Sequence, residues 1–138
     1  MKIYLSTKPP SDMSFKHCSN LAALEGMALD GEVTSLTIDC FLSSFSFQEV
    51  KEAVQEILKK CRMKCEVNII EMDSNVIFRL YTRGEIQLDY LNNLFFNSPK
   101  KSVLNTDTIQ SCIPDNFSIE EKSISSQGFS SIKIRRVV

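Results

Sequence analysis

The sequence has no long hydrophobic run and almost no excess of either charge. No stretch approaches the roughly 18 apolar residues that a membrane-spanning helix needs. The chain begins with a strand-like segment at residues 2–6 instead of a secretory leader. The formal net charge of -1 argues against bulk electrostatic capture of nucleic acid, although a local basic patch stays open. We therefore expect a soluble protein with no membrane partner and no nucleic-acid partner.

Histidine and paired cysteines are also scarce. His17 is the only histidine, and the five cysteines are an odd number at irregular spacing. This spacing does not build a disulfide framework, and the one close pair, Cys61 and Cys65, lacks a second cluster to complete a tetrahedral metal site. The alternative is that His17 and Cys18 form a nucleophile or a metal site, but no partner motif accompanies them. We interpret the cysteines as buried free thiols and expect no metal site.

The loop after the first predicted strand contains no glycine. Residues 6–11 read Ser-Thr-Lys-Pro-Pro-Ser, and the two prolines prevent the strand from continuing. In open α/β sheets a glycine-rich turn at this place lets the backbone approach a nucleotide or nucleoside. The sequence therefore lacks the usual cradle for such a ligand.

The chain does contain one complete helix-to-strand unit at residues 46–72. Ser46 followed by Glu49 predicts a capping box at the start of the helix. Spacings of three and four predict a buried helix face made of Phe47, Val50, Ala53, Val54, Ile57, Leu58 and Cys61. A buried strand is predicted at residues 65–72. With 43% hydrophobic and 24% charged residues among 138, the chain can bury a core, so we expect one domain over residues 1–138.

Other strands and helices alternate around this unit and end in a hairpin. Further strands are predicted at residues 2–6, 35–41, 117–124 and 129–138, the last two joined by a turn at residues 125–128. Helices are predicted after Ser19 or Asn20, after Asp73 or Ser74, over residues 85–99 with Ser98-Pro99 closing the helix, and after Asn105 or Thr106. This order predicts an α/β fold with right-handed crossovers and the residue-46 helix between its second and third strands.

These residues carry a family resemblance. Three features resemble the C-terminal part of a class I S-adenosylmethionine-dependent methyltransferase-like domain: the run RLYTRGEIQLDYLNNLFFNSPKKS at residues 79–102, Gly31-Glu32 before the strand ending in Asp39, and the closing hairpin. Short relatives of this kind occur in tailed phages and bacteria. The resemblance implies a reduced Rossmann-like, methyltransferase-type sandwich whose mostly parallel sheet ends in an antiparallel hairpin.

Two features of that family are missing here. Residues 6–11 replace its glycine-rich loop, and Cys18, Ser19 and Asn20 stand where an acidic residue would hold the cofactor's ribose. The resemblance thus implies a degenerate site, and we expect no bound cofactor. The first hypothesis is a non-catalytic module that binds other protein subunits, as a structural or accessory part of a phage particle, in the host cytoplasm or the virion. The alternative is an S-adenosylmethionine-dependent methyltransferase completed by a partner chain.

The candidate catalytic or binding residue is Asp39, because ligands of open α/β sheets lie at the carboxyl ends of strands. We favour the alternative that its carboxylate caps a nearby amide. Five cations near the C-terminus could form a phosphate-binding face, although we favour a solvated sheet edge: Lys100, Lys101, Lys133, Arg135 and Arg136.

The candidate partner-binding residues lie in the helix predicted at residues 85–99. By the resemblance, this helix sits over the carboxyl end of the sheet. Its large apolar side chains Tyr90, Leu91, Phe95 and Phe96 cannot all face one side of a helix, so we predict a partner contact there. The alternative is that the domain's own core absorbs all four.

Overall fold

The computed structural model describes residues 1–96 and 99–138. Its strands are β1 (Lys2–Leu5), β2 (Lys16–Cys18), β3 (Val33–Asp39), β4 (Cys61–Met72), β5 (Phe117–Ile124) and β6 (Phe129–Arg136). Its α-helices are α1 (Leu21–Met27), α2 (Val50–Lys59), α3 (Ser74–Thr82), α4 (Leu88–Phe96) and α5 (Thr106–Cys112). The end of the fourth helix predicted at Ser98 lies outside the described residues.

The strands of the described chain form one sheet in the order β2-β1-β3-β4-β6-β5. The first four run parallel, whereas β6 is antiparallel to both β4 and β5. The turn between β5 and β6 needs Gly128, whose φ of +88° lies in the left-handed region and whose position leaves no room for a Cβ beside Ile77. The predicted fold class is therefore confirmed: a mostly parallel α/β sheet with a C-terminal antiparallel hairpin.

The hydrophobic core lies on one face of the sheet. Alternate strand residues point into it, namely Ile3, Leu5, Leu36, Ile38, Val67, Ile69, Ile132 and Ile134. Buried residues of α1, α2 and α5 cover them. The opposite face carries cross-strand rows of polar side chains, such as Tyr4, Thr37, Asn68 and Lys133.

The helix start predicted at Ser46 is wrong in detail. Ser46 has the extended backbone of an N-cap, but its side chain makes no capping hydrogen bond. A 3₁₀ turn (Phe47–Glu49) precedes α2, so Phe47 leaves the buried face and is 58% exposed. Cys61, predicted for the same helix face, is instead the first residue of β4. Packing of the apolar face, and not the capping box, accounts for α2.

The strand β2 is not predicted from the sequence. Its three residues are too few to show the alternation that identifies a strand. Because β2 exists, α2 joins the third and fourth strands of the chain and not the second and third. Three other helix starts agree with the prediction, since Asn20, Asp73 and Asn105 each accept a backbone amide through their side chains.

Candidate functional site

A crevice opens at the carboxyl ends of β1 and β3. The sheet has β2 on one side of β1 and β3 on the other, so the chain changes direction between them. Such switch points are where open α/β sheets bind ligands. The cavity has a volume of about 450 Å³ and is lined by residues 6–11 after β1, by Asp39 and Cys40 at the end of β3, and by Lys100.

The structure places Asp39 inside this crevice. Its carboxylate accepts a hydrogen bond from the hydroxyl of Tyr4 on the neighbouring strand. Burial, and then this hydrogen bond, raises the pKa of Tyr4 to about 12, so the hydroxyl stays protonated at neutral pH. Among the described contacts, the partner of Asp39 is thus a side-chain hydroxyl and not the backbone amide that we expected.

Cys40 follows directly and has an unusual backbone conformation. Its φ of +50° lies in the left-handed region, which is uncommon for a residue with a Cβ. Strain of this kind clusters at functional sites. Burial, and then the charges of Glu71 and Asp39, raises the pKa of the Cys40 thiol to about 12. The thiol is therefore protonated at neutral pH and is not an activated nucleophile.

Two buried polar groups lie behind the crevice at the end of β4. Glu71 is 1% exposed, and its carboxylate accepts the backbone amides of Ser43 at 3.3 Å and Met72 at 3.2 Å. Burial raises the Glu71 pKa, against the opposing charge of Lys100. The Ser43 hydroxyl is buried without a hydrogen-bond partner at normal geometry among the described residues. Burying these two polar groups costs free energy of folding, which supports a ligand site at this end of the sheet.

The loop at residues 6–11, where a nucleoside would lie, uses polar atoms of its own in hydrogen bonds within the chain. The Ser6 amide donates to the Cys18 carbonyl at 3.2 Å, and Nε2 of His17 lies 2.9 Å from the Ser6 carbonyl oxygen, to which it donates. The Ser6 hydroxyl donates to the Lys8 carbonyl. His17 therefore serves to fix the turn after β1, and the polar atoms of Ser6 are used within the chain.

The end of β2 offers no carboxylate either. The residues that follow are Ser19 and Asn20. The Asn20 side chain accepts the Ala23 amide at 2.7 Å and so caps α1. The residue nearest to the expected ribose-binding position is thus committed to a structural hydrogen bond.

A second concave surface, which we call the aromatic groove, lies beside the crevice. It has a volume of about 680 Å³ and is lined by Phe47, Phe78, Leu88, Leu91, Asn92, Phe95, Phe96 and residues 100–103. Phe78 and Phe95 stack with their centroids 5.5 Å apart. Lys100 lines both the groove and the crevice. Spacings of three and four on α4 bring Leu88, Leu91 and Phe95 to the groove, yet no residue of α4 is buried.

Three of the four predicted partner-binding residues line the groove. Phe96 is 79% exposed, while Leu91 and Phe95 are half-buried. Tyr90 is also exposed but does not line it. Sequence reasoning missed Phe47, which was assigned to the core, and Phe78, which lies on the preceding helix. Phe78 forms a row with Tyr81 and Thr82 at spacings of three and four on α3. This row lies apart from the face that buries Ile77, and it is the sequence signal for Phe78.

The hairpin does not bring the five C-terminal cations together. Arg135 pairs with Glu66 and Glu120, and Lys133 pairs with Glu121 at 3.5 Å. Arg136 donates to the backbone carbonyl of Cys61, the first residue of β4. The phosphate-binding face is therefore not formed. The expected charged sheet edge is wrong as well, because Lys133, Arg135 and Arg136 lie on β6, which has β4 on one side and β5 on the other.

Comparison with known proteins gives no sequence family, but it does give a fold. No protein-family model and no curated protein matches the chain. Magnesium protoporphyrin IX methyltransferase of Synechocystis, with bound S-adenosylhomocysteine, matches with a TM-score of 0.56 at 14% identity over 88% of this chain. S-adenosylmethionine-dependent methyltransferases of Archaeoglobus fulgidus and Methanosarcina mazei match with TM-scores of 0.56 and 0.53 at 10% and 14% identity, over 91% and 90% of this chain.

The fold is that of the class I S-adenosylmethionine-dependent methyltransferases. The chain spans 50% of the Synechocystis enzyme, 70% of the Archaeoglobus protein and 67% of the Methanosarcina protein. At these identities the likeness concerns architecture alone. The crevice of this methyltransferase-fold chain occupies the position that ligands take in open α/β sheets.

The residues present do not fit S-adenosylmethionine in the way that the resemblance implies. The polar groups of Ser6 are bonded within the loop, and Asn20 caps a helix. In residues 1–96 and 99–138, no group of three or more His, Cys, Asp or Glu is placed to bind a metal ion. None of the described helices has the length and apolar character that crossing a membrane requires.

Proposed function

We propose that this chain is a methyltransferase-fold module that binds another protein and does not itself transfer methyl groups. The observation that carries the proposal is the aromatic groove, because five of its apolar side chains are about half exposed or more: Phe47, Phe78, Leu88, Phe96 and Val103. Burying the exposed half of such a side chain stabilises a complex by roughly 1 kcal/mol. Exposed apolar surface gathered in one concave patch marks interaction sites. A place in a phage particle remains a prediction from the resemblance alone.

Phe96→Ser is expected to abolish or strongly weaken assembly with the partner while leaving the melting temperature of the chain unchanged. The reason is that a side chain 79% exposed contributes little to the core but much to an interface. The measurement is quantitative co-purification from native material, together with thermal unfolding of the isolated chain.

The matched control is Leu29→Ser, which removes a side chain 70% exposed beside Asp30 and Gly31 before β3, at the opposite end of the sheet. It should leave assembly intact. A fall in melting temperature for Phe96→Ser would assign Phe96 to the core and defeat the proposal. Unchanged assembly would defeat it as well.

The second candidate function is S-adenosylmethionine-dependent methyl transfer, with a partner chain supplying the missing contacts. The crevice at the switch point favours it, and so do the structural neighbours of Synechocystis, Archaeoglobus and Methanosarcina, whose names state this activity. Here Asp39 would be the residue that contacts ligand. Neither Tyr4 nor Cys40 would act as a base at neutral pH, since both pKa values are raised to about 12.

Titration calorimetry with S-adenosylmethionine and S-adenosylhomocysteine separates the two functions. For the isolated chain we expect no saturable heat, because the loop after β1 and the end of β2 offer no anchors for the amino acid and the ribose. Stoichiometric binding that is lost in Asp39→Ala would place the cofactor in the crevice and overturn the first proposal. Adding the co-purified partner to the same titration tests the completed enzyme.

A further inference from the structure

The aromatic groove has a charged side as well as an apolar one. Lys100 and Lys101 line it together with the phenylalanine rings. Neither lysine forms an ion pair with a described residue, in contrast to Lys59, Lys60 and Lys133. A groove of this composition is complementary to an occupant with an apolar face and a negative charge.

The backbone beside the groove is already hydrogen-bonded. The amides of Lys101 and Ser102 both donate to the Ser43 carbonyl, at 2.7 and 3.1 Å. These two amides are therefore not free to pair with an added extended strand. They also fix the position from which the two lysine side chains project.

An occupant must therefore satisfy its own backbone and offer apolar side chains. A helix does both, since its amides and carbonyls are bonded internally. A drug-sized molecule is a poorer match, because such ligands are usually buried by most of their surface, whereas Phe96 and Leu88 remain widely open. A flat bilayer is also a poorer match to a concave cavity of about 680 Å³.

We propose that the aromatic groove takes an amphipathic helix from the partner protein. Its apolar face carries large side chains at spacings of three and four, which contact Phe47, Phe78 and Phe96. An acidic residue beside that face pairs with Lys100 and Lys101. This inference rests on the proposed function, and it defines the chemistry of the partner.

The test uses three labelled synthetic peptides of about 16 residues, long enough to form a helix. The first has an apolar stripe flanked by glutamates, the second has lysines in place of the glutamates, and the third has the first peptide's composition without a stripe. By fluorescence anisotropy, the first should bind about tenfold tighter than the second, since two charge pairs are exchanged for two repulsions. The third should not bind.

Lys101→Glu should lower the affinity for the glutamate peptide about fivefold and raise the affinity for the lysine peptide, because reversing the charge of both partners restores the attraction. The control is Arg62→Glu, an equal charge reversal at an exposed residue near the start of β4, away from the groove. It should change neither affinity. Phe96→Ser should lower the affinity for both striped peptides by the same factor.

Equal affinities for the two striped peptides, or no effect of Lys101→Glu, would overturn the acidic helix. Binding of the chain to phosphatidylserine vesicles but to none of the peptides would overturn it in favour of a lipid surface. These results differ from a failure of the proposed function itself, which would appear as native assembly that survives Phe96→Ser. Loss of assembly in Phe96→Ser without peptide discrimination would keep the groove as a docking site and reject only this occupant.

Discussion

Ile57→Asp is expected to destabilise the domain by about 4 kcal/mol, which is a large part of the roughly 5–15 kcal/mol that holds such a domain together. Ile57 is fully buried on the inner face of α2, within the cluster that includes Val54 and Leu58. An aspartate there would either bury an unpaired charge or take up a proton to avoid it. Urea unfolding at neutral pH measures the change.

Gln55→Asp is the matched control for this substitution. Gln55 lies on the exposed side of the same helix, so the same new side chain costs the same helix propensity without entering the core. We expect a change below about 1 kcal/mol. An unfolding midpoint for Ile57→Asp equal to that of Gln55→Asp would show that this face of α2 is not the buried one.

The core was predictable because its signal is periodic. The residues of α2 that face inward recur at spacings of three and four, and the inward residues of β3, β4 and β6 alternate. Helix starts with a side chain that can accept an amide were also predictable, as for Asn20 and Asn105. Ser46 shows the limit of that signal, because in the 3₁₀ turn the Glu49 amide donates to the Ser46 carbonyl at 2.9 Å and the hydroxyl makes no capping hydrogen bond.

The candidate site was only partly predictable, because its residues come together through topology. Asp39 was found from its place at a strand end. Ser43 and Glu71 are 28 positions apart and meet only because β3 and β4 are neighbours in the sheet. A signal for Glu71 did exist, since a carboxylate inside the apolar run at residues 69–72 must be buried with its strand.

The aromatic groove required tertiary structure in the same way. Phe78 and Phe95 belong to different helices, and their stacking depends on how α3 and α4 meet. Phe47 faces the groove because α2 begins three residues later than its pattern suggests. The sequence did indicate that the fourth helix carries more aromatic side chains than one buried face can hold. The groove lies against this helix.

Asp73→Ala is expected to cost about 3 kcal/mol, because one carboxylate connects the starts of two helices. Its Oδ1 accepts the amides of Asn75 at 2.9 Å and Val76 at 3.2 Å, which caps α3. Its Oδ2 accepts the amide and the hydroxyl of Thr106, at 2.8 and 2.6 Å, at the start of α5. Removing the side chain leaves these donors unsatisfied in a mostly buried place.

The same residue makes stability depend on pH. Burial alone would raise the pKa of Asp73, but the hydrogen bonds from Thr106, Val76 and Asn75 outweigh burial and hold this pKa below its ordinary value. A carboxyl whose pKa is lowered by folding contributes its full stability above its unfolded pKa of about 3.9, and that contribution is lost as pH falls through the folded value.

Asp73→Asn isolates this charge, since it keeps the shape and one acceptor oxygen but cannot ionise. Its melting temperature should lie below that of the native chain at pH 7. The gap should begin to narrow below about pH 4, where the unfolded chain takes up a proton at Asp73, and it should close as the pH falls through the lower pKa of the folded state. Melting curves of both proteins between pH 7 and pH 3 measure the gap. A gap of constant size across that range would mean that the carboxylate charge contributes nothing and that shape alone holds α3 against α5.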